Sequence, residues 1–83
     1  MDETRESKIW TVGKQDANVC IYVTLHPQGG RFIASADSDH LSKSQMEKAL
    51  KVVYPNWTIT TRSDKMGYIF ADGRAPQATE VRQ

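Results

Sequence analysis

The side chains with the widest chemical range in this chain are two histidines and one cysteine. His40 follows Asp37 and Asp39 at short spacing, and an imidazole that titrates near neutral pH beside carboxylates can hold a metal or move protons. The same Asp-Ser-Asp-His run is also what a turn leading into a helix requires, because Asp and Ser side chains bond nearby backbone amides. The turn reading is preferred, and no metal site is assigned. His26, next to Pro27, reads as a hairpin residue. With His40 as its partner and a lysine on the phosphate, it would make a small two-histidine nuclease, but no spacing brings the two histidines together. Cys20 lies within a run of strand formers, where a lone thiol is more often a small apolar residue than a nucleophile. Gly29-Gly30 lacks the Lys-Ser/Thr and the helix start of a phosphate loop. The chain is therefore expected to be no enzyme and to need no cofactor.

Binding chemistry has more candidates. Lys43, Lys48 and Lys51 fall on one predicted helix, and Arg31, Arg62, Lys65 and Arg74 fall on or near predicted strands and turns. Interleaved with Trp57 and Tyr68, these cations could hold phosphates while the rings stack on bases. The competing account is an ordinary solvated helix face carrying a Glu47–Lys51 pair. Trp10, Tyr22, Trp57 and Tyr68 are the large aromatic side chains that would anchor a protein interface.

These residues need elements to position them. Residues 1–7 are polar and read as a frayed leader. Ile9, Trp10, Thr11 and Val12 predict a strand over 8–12, stopped by Gly13. Residues 19–25 alternate strictly, with Val19, Ile21, Val23 and Leu25 on one face and Cys20, Tyr22 and Thr24 on the other. Pro27 with Gly29-Gly30 predicts a hairpin into a third strand over 31–36 that pairs back on the second.

A helix over 43–54 follows. Ser42 is its N-cap, Gln45 completes a capping box, and Leu41 and Met46 form a hydrophobic staple. Met46, Ala49, Leu50, Val53 and Tyr54 recur at helical spacing until Pro55 ends the run. Residues 56–62 and 68–71 predict a second hairpin, closed by Asp72-Gly73. Residues 73–83 read as a tail with too few apolar anchors to order itself. The expected fold class is α+β: an antiparallel sheet of about five strands with one amphipathic helix on one face, in the order β-β-β-α-β-β, as a single domain over 8–72.

Composition narrows the setting. At 83 residues a second independent core is excluded. Eleven Lys and Arg against ten Asp and Glu give a net charge of +1, which rules out both a polyanionic DNA mimic and a broadly basic coat. A single cysteine precludes an internal disulfide and fits a reducing, cytoplasmic setting. No run approaches the roughly 18 apolar residues of a membrane span, and residues 1–8 lack the apolar core of a signal peptide.

One helix offers one apolar stripe, so it covers one face of such a sheet and leaves the other open. The expectation is a small noncatalytic binding or regulatory module that acts through protein contacts on the open face, with homodimerisation as one form of that contact. Nucleic-acid binding through the basic residues is the alternative.

Overall fold

A computed structural model describes residues 5–76. Five strands, β1 (Arg5–Val12), β2 (Asn18–Leu25), β3 (Arg31–Asp37), β4 (Thr58–Ser63) and β5 (Tyr68–Arg74), form one antiparallel sheet in the order β1-β2-β3-β5-β4. A single helix, α1 (Lys43–Val53), connects β3 to β4. The fold is thus α+β with the predicted element order. Among the described residues no helix is long and apolar enough to cross a membrane.

Sequence alternation decides which face is core. Val19, Ile21 and Val23 of β2, Phe32, Ala34 and Ala36 of β3, and Ile69 and Ala71 of β5 are all buried on one side. Leu41, Met46 and Leu50 close over them. The helix packs chiefly against β4 and β5, where Ala71 and Gly73 keep the sheet surface low. Its start is fixed as expected: the Ser42 amide donates to Gln45 Oε1 at 3.0 Å and the Gln45 amide donates to Ser42 Oγ at 3.1 Å, while Leu41 and Met46 are fully buried beneath. It ends one residue before Tyr54, whose amide donates to the Leu50 carbonyl at 2.7 Å.

The helix stops at Val53 rather than at residue 54 and β4 begins at Thr58 rather than at residue 56, and two larger differences lie at the ends of the sheet. β1 begins at Arg5, so Arg5, Glu6 and Ser7 of the expected leader pair with Leu25, Thr24 and Val23. Strand propensity missed them because the backbone ladder is supplied by β2, and polar side chains are tolerated on an edge strand. β5 runs on through Asp72, Gly73 and Arg74, the first two read as a closing turn. Gly73 sits flat in the strand because the Phe32 ring lies directly over it, leaving no space for a β-carbon. The rest of the expected leader, 1–4, and of the expected tail, 77–83, lies outside the described residues.

The β1–β2 connection contains a single 3-10 turn, Lys14–Asp16, with Gln15 and Asp16 at positive φ. It docks against the segment before the helix: the Lys14 amide donates to the His40 carbonyl at 2.7 Å, and Lys14 Nζ donates to the Ser38 carbonyl at 3.1 Å. A β-carbon at Gly13 would collide with that His40 carbonyl, so glycine is needed for the close approach.

Candidate functional site

The helix covers only one face of the sheet, and the other is built from the alternate positions of the same strands. Cross-strand register lines up Lys8, Tyr22, Ser35, Phe70 and Arg62 as one row running from β1 to β4. The next row is Glu6, Thr24, Ile33, Asp72 and Thr60. Trp10, Tyr22, Ile33 and Tyr68 are 62%, 55%, 50% and 52% exposed on this face, a concentration of apolar surface that sets it apart from scattered exposed residues.

The first row has a symmetric chemistry. Lys8 Nζ lies 5.9 Å from the centroid of the Tyr22 ring, and Arg62 Cζ lies 5.6 Å from that of Phe70. Each aromatic ring therefore carries a cation on the side facing its own sheet edge, in the range of cation–π attraction. Between the two rings, over β3, lies an open cleft of about 480 Å³ lined by Tyr22, Thr24, Ile33, Ser35, Phe70 and Arg31. His26 and Pro27 border it at the hairpin end. A second, smaller depression of about 330 Å³ lies on the β1 side of Tyr22, bordered by Glu6 and Lys8, and Tyr22 lines both. Arg31 is held by Asp72 through two bonds, Nε to Oδ1 at 3.2 Å and Nη2 to Oδ2 at 3.3 Å.

The predicted partner-binding residues divide in two. Trp10, Tyr22 and Tyr68 are on the open face. Trp57 is not: it packs beneath the sheet against Phe32 and Tyr54, with ring centroids 5.4 Å and 4.9 Å away. The signal was present in the alternation, since Trp57 stands two residues before the core-facing Ile59. The same cluster buries the Tyr54 hydroxyl enough for desolvation to raise its pKa above the ordinary tyrosine value.

The predicted nucleic-acid residues divide three ways. Arg31 and Arg62 reach the open face. Lys43, Lys48 and Lys51 lie exposed on the helix, beyond the core and away from that face, where Lys51 pairs with Glu47 at 3.6 Å. Lys65 is exposed in the β4–β5 turn. These six do not form one patch; Arg74, the remaining predicted cation, is exposed at the end of β5 as the cross-strand neighbour of Arg31. Lys8 and Phe70 were overlooked, because only the register shows that they share a row with Tyr22 and Arg62.

The histidines stand at opposite ends of β2. His26 begins the β2–β3 hairpin, where its Nδ1 accepts from the Gln28 amide at 3.2 Å. His40 lies under the β1–β2 turn, about 25 Å away along an eight-residue strand. The acid–base pair of a nuclease is not assembled. Asp37 Oδ1 accepts from the Asp39 amide at 2.8 Å and Oδ2 lies 3.6 Å from His40 Nδ1, the turn arrangement expected before a helix. Among the described residues, no three His, Cys, Asp or Glu side chains gather closely enough to hold a metal ion. Cys20 is half-buried on the open face, paired across strands with Trp10.

No family model, curated protein or solved structure matches this chain.

Proposed function

We propose that the protein is a noncatalytic binding module whose working surface is the open face of the sheet. The observation that supports this reading is the row Lys8, Tyr22, Ser35, Phe70, Arg62: an exposed ring and a half-buried one, each with a cation beside it, flanking a cleft on the one face that the helix leaves uncovered.

The aromatic side chains Trp10, Tyr22 and Tyr68 are the anchors such a surface would use, filling pockets on a facing protein or stacking on the bases of a nucleic acid. A second copy of the chain fits less well. Aligned face-to-face packing of two sheets about a two-fold axis brings a row with a cation at each end onto its own copy, which sets cation against cation.

The test compares affinity capture from the native host by the wild-type chain, by Tyr22→Ala combined with Tyr68→Ala, and by Lys48→Ala combined with Lys51→Ala on the helix. Material of either class, protein or nucleic acid, is expected to be lost with the open-face pair and kept with the helix pair. Equal capture by all three would remove the reading.

A further inference from the structure

We infer that the cleft between Tyr22 and Phe70 receives a base of single-stranded nucleic acid, an inference that rests on the open face being the working surface. Tyr22 and Phe70 occupy β2 and β5, the two neighbours of β3, and share one row with Ser35 between them. Two strand spacings of about 4.8 Å put the backbones that carry the rings roughly 9.6 Å apart. Aromatic stacking favours centroid separations from about 4.5 Å upward. Two such contacts, one on each side of a flat ring, span the same distance. Backbones at that spacing leave room for one planar ring between the two, with Ser35 and Ile33 as the floor of the cleft.

Charge placement selects the class of ligand. Lys8 and Arg62 lie behind the two rings, at opposite sides of the sheet, and Arg31 lines the cleft itself. Asp72 holds the Arg31 fork through Nε and Nη2 and offsets its charge, while Arg74, the cross-strand neighbour of Arg31, adds an exposed cation at the same end of the cleft. A ligand that meets Lys8, Arg62 and Arg74 while placing a flat ring in the cleft is an anionic chain bearing aromatic groups. A free nucleotide would engage the cleft and Arg31 but not both Lys8 and Arg62, and a duplex does not present an unstacked base. Trp10 and Tyr68, exposed outside the cleft, offer further stacking positions for neighbouring bases.

The probe is a fluorescently labelled single-stranded homopolymer of about twelve nucleotides, within the usual site size of a single-strand-binding domain, followed by anisotropy at low and rising salt. Binding is expected at low salt, with steep weakening as salt is added and clear preference over a duplex of the same length. Tyr22→Ala should weaken it about tenfold or more, Tyr22→Phe should restore it, and Lys8→Ala should flatten the salt dependence. Lys48→Ala should leave it unchanged.

Absence of binding at low salt, equal affinity for duplex, or indifference to Tyr22→Ala would each overturn the inference. Equally tight binding of a mononucleotide would overturn it in favour of a free-nucleotide site. If the single strand fails while capture of a protein still depends on Tyr22 and Tyr68, the open face stands as the working surface and only the nucleic-acid assignment falls. If both fail, both fall.

Discussion

The ring of Phe32 rests on the backbone of Gly73, its directly paired neighbour across β3 and β5, with no space between them for a methyl group. Gly73 is thereby the seat of the aromatic cluster, since Phe32 in turn packs on Tyr54 at 4.5 Å and on Trp57 at 5.4 Å. Gly73→Ala should lower stability by about 1–3 kcal/mol, the usual cost of overpacking a tight site. Chemical denaturation would show this as a reduced midpoint at unchanged slope; an unchanged midpoint would mean the ring shifts freely.

Trp57 and the open-face aromatics should part company in the same assay. Trp57→Ala removes a half-buried ring from the cluster and is expected to cost about 2 kcal/mol or more. Trp10→Ala and Tyr68→Ala remove exposed rings and should each change stability by no more than about 0.5 kcal/mol. Similar losses at all three positions would show that the open-face rings serve the fold.

The helix start depends on Ser42, whose hydroxyl takes the Gln45 amide. Ser42→Ala should destabilise the protein by about 1 kcal/mol, and Ser42→Asp, which preserves the acceptor, should recover most of it. Thermal melts of the two variants against wild type check this directly.

Tyr54 gives an alkaline signature. Burial raises its pKa in the folded state, so the unfolded chain loses this proton first as pH rises. The contribution to stability is full below the ordinary tyrosine pKa and is lost as pH rises through the higher folded value. An alkaline absorbance titration of the folded protein should therefore contain one late phenolate step that Tyr54→Phe removes. Persistence of that step in the variant would assign it elsewhere.

Much of the architecture was legible because its signals were local. Ser42, Gln45, Leu41 and Met46 define a helix start within six residues, and the alternation from Val19 to Leu25 sorts one strand into two faces without further information. The errors arose where distant segments decide. Asp72-Gly73 has turn composition, and only the Phe32 ring from another strand explains why it stays extended. Arg5, Glu6 and Ser7 have no apolar anchor of their own and are ordered by β2.

The site was legible only in part for a related reason. Tyr22 and Arg62 were recognisable as residue types, but their placement in one row with Lys8 and Phe70 depends on β5 inserting between β3 and β4. No pattern within the β4–β5 hairpin fixes that order.

The bond from the Lys14 amide to the His40 carbonyl joins the first hairpin to the residues that launch the helix. Gly13 and His40 are in backbone contact, so the turn and the entry to the helix form one contact unit between segments far apart in sequence, the kind of pairing that is slow to close. Hydrogen exchange at the Lys14 amide would then proceed through opening of that whole unit, although the amide belongs to a surface turn.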